Sequence, residues 1–322
     1  MISESVLPRS AHRLIDLHRH LEGSLRVATI LELAHRDGHH LATADDPEDL
    51  LVAKGPLGGL VPYLDKVDVA ASAFSRAEDW HRAAQEAVKD AADDGLDYLE
   101  LRFSPWFIQQ ETPLRAEEII DAIADGVSQA SDETGLRTGL IGILLRDLGP
   151  ENGVAQVKTL LSRRETFCAV DLAGNENGFP ASGFTEAFAL ARDAGLHVTV
   201  HAGEGAGAQS VWDAVRHLGA ERIGHGVRSV EDPALLEHLA KHRITLEVAL
   251  TSNLHTSTAT SYREHPIHRL LAAGVPVSLA TDDPRASAIT LSGEYLKARE
   301  EAGLSEQQLQ TIREDADRAC FA

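Results

Sequence analysis

The first chemistry in this chain is carried by two histidines, His18 and His20, within Leu14-Ile15-Asp16-Leu17-His18-Arg19-His20-Leu21-Glu22-Gly23. The apolar residues around them, closed by a glycine, predict a short buried strand, and a strand's period of two puts both imidazoles on one face. Two imidazoles on one face are half of a metal site, although such a pair alone is as easily ordinary polar pairing. Three later segments offer the other half. His201-Ala202-Gly203-Glu204 brings an imidazole with a carboxylate just beyond it, and Arg222-Ile223-Gly224-His225-Gly226 brings an imidazole between glycines. Thr281-Asp282-Asp283-Pro284 brings two adjacent carboxylates.

Three neutral imidazoles and one carboxylate suit Zn2+ or another borderline divalent ion and leave room for a water. Such an ion lowers the pKa of the water and provides hydroxide near neutral pH. Glu204, three residues past a ligand, is placed to move a proton, and His225, where glycines let the backbone approach closely, is placed to orient or deprotonate the water. Singly, each has an ordinary explanation: a strand-end histidine is commonly a hydrogen-bonded rim or core residue, and an aspartate before proline is commonly a turn. Their joint arrival at the ends of strands points to chemistry. His197 is in phase with His201 and equally suits a core position deeper in the fold, so it is not assigned to the metal. His39, His40, His238, His242, His265 and His268 fall in loops or polar helix faces and are expected to face solvent.

For these groups to meet, the elements that carry them must converge. Apolar and alternating runs predict strands over 14–23, 96–105, 138–145, 167–172, 196–200, 222–224, 244–249 and 276–280. Helical periods separate them over 26–37, 76–94, 114–133, 154–163, 181–194, 208–217, 233–242 and 265–273, with two more helices around Glu294 and Gln308. Strict alternation implies a parallel sheet with helical crossovers, and eight strands in 322 residues favour a closed (β/α)8 barrel with extra helices over an open doubly wound sheet. A dinucleotide fold would show a glycine-rich loop after its first strand, where this chain has His-Arg-His-Leu-Glu-Gly. Residues 39–75, interrupted by Pro47, Pro56 and Pro62, form a long irregular connection that either folds as a helical lid over the pocket or packs as an outer layer. Without an internal repeat or linker, residues 1–322 are expected to form one domain.

A formal charge of −20 argues against nucleic acid or an anionic membrane surface as partner and leaves a neutral small molecule as the better fit. Only Cys168 and Cys320 are present, so neither a disulfide framework nor a thiolate cluster is expected. A polar N-terminal stretch and the lack of a long apolar run lead to the expectation of a cytoplasmic protein. Composition carries no signal of oligomeric state.

Along nearly its whole length the chain resembles the adenosine deaminase family of metal-dependent amidohydrolases, bacterial members most of all. The resemblance rests on His18-Arg19-His20-Leu21-Glu22-Gly23, Leu101-Arg102-Phe103-Ser104-Pro105, Asp171-Leu172-Ala173-Gly174-Asn175-Glu176, His201-Ala202-Gly203-Glu204, Arg222-Ile223-Gly224-His225-Gly226, Leu250-Thr251-Ser252-Asn253 and Thr281-Asp282-Asp283-Pro284, in this order. It implies a barrel, one catalytic zinc per subunit, and hydrolytic loss of ammonia from C6 of a purine nucleoside. It assigns His18, His20, His201 and Asp282 to the metal, Glu204 to protonation of purine N1, and His225 and Asp283 to the attacking hydroxide. It further implies substrate contacts at His20, Glu22, Gly174 and Asp283, with Gly174 N–H at purine N3 and Glu22 near the ribose 5'-hydroxyl. Three residues depart from the usual pattern: Glu22 stands where nucleoside-acting relatives carry Asp, Asn175 replaces an acidic residue, and Ala280 replaces a frequent Asn. Adenosine remains the expected substrate, with adenine or a modified nucleoside as the alternative and an inactive purine-binding relative as a further one.

Overall fold

The computed structural model describes residues 13–321. Its eight strands are β1 (Ile15–His20), β2 (Tyr98–Phe103), β3 (Arg137–Leu145), β4 (Ala169–Ala173), β5 (His197–Ala202), β6 (Arg222–His225), β7 (Thr245–Val248) and β8 (Val277–Leu279). They lie side by side in sequence order, each parallel to the next. The ring closes just past β8, where His20 N–H donates to Asp282 O (2.8 Å) and Asp282 N–H donates to His18 O (2.9 Å). The expected (β/α)8 barrel is therefore the observed one, and its closing bonds are made by the residues singled out for chemistry.

The crossover helices form the outer wall because each carries one apolar stripe. In Ala77–Asp93, Trp80, Ala83, Ala84, Ala87, Val88 and Ala91 are buried, and in Ala116–Thr134 so are Ile119, Ile120, Ile123 and Val127. Each isoleucine or tryptophan buried in that wall is worth about 1.5–3 kcal/mol relative to exposure. Gly38 ends Val27–Asp37 with a left-handed φ of 68°, a conformation that the missing Cβ makes cheap.

Predicted and observed elements differ in four places. Ser104-Pro105, read as the end of a strand, instead starts a helix, Pro105–Glu111, with Ser104 Oγ accepting from Phe107 N–H. A second short helix, Leu250–His255, follows β7. The helix expected over 208–217 is α-helical only over Ala208–Asp213 and continues as a π-helical turn over Ala214–Leu218. The irregular stretch contains Pro47–Leu51 and Leu60–Ala71 and runs across the loops after β7 and β8: Leu57 N–H bonds His255 O, Gly58 N–H bonds Ser257 Oγ, Ala53 N–H bonds Ala286 O, and Tyr63 OH meets Ser287 Oγ at 2.7 Å.

The histidines outside the site also separate. His40 and His242 are exposed as expected, His39, His238 and His268 are half-buried, and His265 is fully buried, contrary to expectation. His197 is not in the core: it begins β5 at the exposed end, stacked on Phe321 and paired with Glu221. Among the described residues no helix is long and apolar enough to cross a membrane.

Candidate active site

The inside of this barrel is charged where such barrels usually hold branched apolar side chains. Glu100, Arg102, Asp171, Arg222 and Glu247 all point inward and are buried. Arg222 pairs with Glu100 and, through Nε at 2.7 Å, with Glu247; Arg102 then joins Glu247 (2.8 Å) to Asp171 (2.7 Å). Signs alternate, so every charge has an opposite neighbour. Burial disfavours the charged form of Glu247 and Asp171, but Arg102 and Arg222 beside Glu247, and His201 and Arg102 beside Asp171, hold both carboxyls below the usual carboxylate range.

The column ends on two imidazoles. Glu247 Oε2 lies 2.8 Å from His18 Nδ1, and Asp171 Oδ2 lies 2.9 Å from His201 Nδ1. A carboxylate at Nδ1 selects the tautomer with its proton there and leaves Nε2 as a bare lone pair aimed up the barrel. His18 Nε2 is fully buried and has no hydrogen-bond partner, although Asp282 Oδ1 stands 3.2 Å away. His20 Nε2 and His201 Nε2 face each other at 3.1 Å, and His20 Nε2 is 3.4 Å from Asp282 Oδ1. Imidazole nitrogens and a carboxylate oxygen converging on one point are a donor set for a divalent cation. Ligand atoms of His18, His201, His225 and Asp282 lie within 4.8 Å of one another, and His20 Nε2, close to both His201 and Asp282, is the further imidazole at this point.

Of the other groups expected there, His225 and Glu204 meet beside Asp282. His225 Nε2 is 3.4 Å from Glu204 Oε2 and 3.9 Å from Asp282 Oδ2, and Ser252 donates to Asp282 Oδ2 at 2.6 Å. Thr256 donates to Glu204 Oε1 at 3.1 Å. Burial raises the Glu204 carboxyl above its ordinary pKa, against the opposing effect of His225. Burial and then Asp282 raise Asp283 far above its own. Asp283 packs so closely on Gly23 that no Cβ fits there, the physical reason for a glycine after Glu22. Glu22 is buried; its Oε1 accepts from Ser104 N–H at 2.8 Å while Oε2 has no partner, and burial lifts its pKa to about 7. Gly174 follows β4 with φ 112°, against Asp147.

Two local conformations carry strain. His225 and Asp282 both hold left-handed backbones, φ 61° and 60°, which cost a side-chain-bearing residue about 1–3 kcal/mol each. The loop bearing Glu204 is pinned from below: Glu176 accepts from the N–H groups of Gly203, Glu204, Gly205 and Ala206 and from Ser210 Oγ.

Sequence reasoning passed over Glu247, Glu176, Asn253 and the roles of Arg102, Asp171 and Arg222. Their signal was present for the strand residues: a lone charge inside an apolar strand, as in Ile244-Thr245-Leu246-Glu247-Val248, must be paired where it is buried.

The profile of the family described as "Adenosine deaminase" matches residues 14–322. An adenosine deaminase from Edwardsiella ictaluri is 46% identical over 92% of this chain and 90% of its own length. One from Shewanella loihica is 43% identical over 96% and 94%. Among solved structures, an adenine deaminase from Arthrobacter aurescens superposes with a TM-score of 0.89 at 25% identity, covering 97% of this chain and 94% of its own.

Replacing Arg102 by Met takes the only arginine from buried Asp171 and leaves buried Glu247 with Arg222 alone of its two. Urea denaturation is expected to show a loss of about 3–5 kcal/mol, and metal titration a weakening of about 10- to 100-fold. A variant with unchanged values of both would show that the charge column does not hold the imidazoles.

Proposed function

This chain belongs to the adenosine deaminase family, and from that premise we propose that it hydrolyses adenosine at C6, giving inosine and ammonia. The convergence of three imidazoles on the Asp282 carboxylate, with the buried Glu204 carboxyl beside it, carries the reading. His18, His20, His201 and Asp282 would hold one metal ion, and zinc suits three nitrogens and one oxygen best. Bound there, the ion supplies the acidification that makes water nucleophilic near neutral pH.

The rest is done by side chains. Glu204, whose carboxyl burial biases toward the protonated form and whose Oε1 Thr256 holds, delivers its proton to purine N1, which drains electron density from C6. His225 and Asp283 flank the path of the attacking oxygen and fix its direction. The oxygen of water adds to C6, one of its protons passes to the departing amine and the other restores the Glu204 carboxyl, and as the C6–N bond breaks ammonia leaves and the ring keeps N1–H and a C6 carbonyl. Gly174 N–H faces purine N3, and His20 and Asp283 line the same pocket. Glu22 Oε2, buried without a partner, is an acceptor suited to one hydroxyl donor, in keeping with a ribose contact. Pro47–Leu51 and Leu60–Ala71, tied to the loops after β7 and β8, act as the lid. The reaction takes place in the cytoplasm, where Cys168 and Cys320, both free, stay reduced. The substrate is a small purine nucleoside, and the acidic chain has no use for nucleic acid or membrane.

A second reading, adenine as substrate, has one observation in its favour: Glu22 is longer than the aspartate usual in nucleoside-acting relatives, and so reaches further into the space a ribose would fill.

Mixed with metal-replete protein, adenosine is expected to release ammonia with a falling purine absorbance. Chelation should abolish this, and added Zn2+ should restore it; silence toward every 6-aminopurine nucleoside would sink the assignment. Glu204→Gln, which cannot hold the proton, should lower kcat about 10²- to 10⁴-fold while retaining metal. For Glu22, the ratio of adenosine to adenine turnover is the readout: Glu22→Asp should shift it toward adenosine by about tenfold or more, and an unmoved ratio would remove this residue as the selector.

A further inference from the structure

His265, the histidine expected to face solvent, is 1% exposed and ends a chain of hydrogen bonds that leads into the site. Ile267 N–H meets His265 Nδ1 at 3.1 Å; His265 Nε2 meets Asn253 Oδ1 at 3.2 Å; Asn253 Nδ2 meets His225 Nδ1 at 3.2 Å. Asn253 is completely buried, as is His225 apart from a trace. On its far side His225 presents Nε2 to Glu204 Oε2 and Asp282 Oδ2.

The direction of this chain has only one solution. A backbone N–H always donates, so His265 Nδ1 is an acceptor and its proton resides on Nε2. That N–H requires an acceptor, which turns the Asn253 amide so that Oδ1 faces His265. The amide's NH2 is thereby left facing His225, whose Nδ1 must accept. The single proton of a neutral His225 is then on Nε2, the nitrogen that faces the site.

We propose that Asn253 and His265 are positioning residues that fix the tautomer and ring orientation of His225, with the backbone N–H of Ile267 setting the direction. His225 thus meets the attacking oxygen as an N–H donor that orients it, and is no proton acceptor in the resting site. This bears on His225's part in the proposed deamination, on which it rests. It also explains why the loop after β7 and the start of Ile267–Ala272, which supply no ligand, bury polar groups behind the metal centre. A polar side chain buried without a partner costs about 1–3 kcal/mol, so each link in the chain holds the next in one orientation. Asn253 has an amide rather than a carboxylate because only an amide offers an acceptor on one side and a donor on the other.

The test is made on metal-replete protein labelled with 15N-histidine. Long-range 1H–15N correlation spectra identify the His225 ring by the signals lost in His225→Gln. The wild type is expected to show Nε2 protonated and Nδ1 bare; a proton on Nδ1 overturns the proposal without any variant. Asn253→Asp, nearly isosteric, offers only acceptors and should move the proton to Nδ1, with kcat down about 10- to 100-fold and KM changed less than about threefold. His265→Ala should lower kcat in the same way, and His265→Gln, whose amide N–H can reach Asn253 Oδ1, should recover part of it. A variant Asn253→Asp with wild-type kcat and bare Nδ1 also overturns the proposal. The spectra do not depend on turnover: full activity in His225→Gln would remove His225 from the deamination while leaving the tautomer assignment to be read independently.

Discussion

Five alternating charges stacked inside the barrel, Glu100, Arg222, Glu247, Arg102 and Asp171, are the constraint on which the site depends. Such a column is a poor source of stability, because removing five charges from water costs about as much as their attraction returns. Stability comes from the apolar wall of helices. What the column contributes is placement: each carboxylate is held between an arginine and a partner, and the topmost two fix His18 and His201 through Nδ1. An imidazole held at one nitrogen presents the other in a fixed direction, so a cation bound there would meet donors that need not reorganise.

Closure of the barrel serves the same end. The bonds between His18, His20 and Asp282 that join the last strand to the first also bring the late carboxylate against the early imidazoles. β1 carries a register shift between Asp16 and Arg19, so its pairing to β2 skips a residue just where the two histidines emerge. Extra residues of this kind re-aim side chains at the rims of sheets. The left-handed backbones of His225 and Asp282 do likewise, their strain offset by the hydrogen bonds around them. Glu176, with five donors on one carboxylate, replaces the flexibility of a glycine-rich loop by a fixed platform for Glu204. Burial works against its charge, but Arg146 and those donors hold the carboxyl below its ordinary pKa.

Much of this was legible in the residue pattern and some was not. The eight strands and the crossover helices between them were read from the pattern, because most span two or more turns or four or more residues, which averages out local exceptions, and strict alternation of the elements carried the short ones. Pro105–Glu111 and Leu250–His255 were missed because six or seven residues hold too little of a period to register. His265 was misplaced for a different reason. The polar pattern around it reads as a solvated helix start, whereas the partner that makes burial tolerable, Asn253, lies twelve residues away and on another element. Glu247 was passed over although a charge in an apolar strand is a readable signal, and which side chains it meets depends on β1, β2 and β6.

The order of strands and helices, the closed parallel barrel and the identities of the groups at its mouth were determined by the sequence alone, since side-chain period and strand count leave few other ways to bury this chain. Tertiary structure alone decided which of those groups point at one another and in what protonation state. A tautomer, a bare lone pair or a raised carboxyl pKa is set by the field and hydrogen bonds of neighbours distant in the chain, and no local pattern of residues contains them.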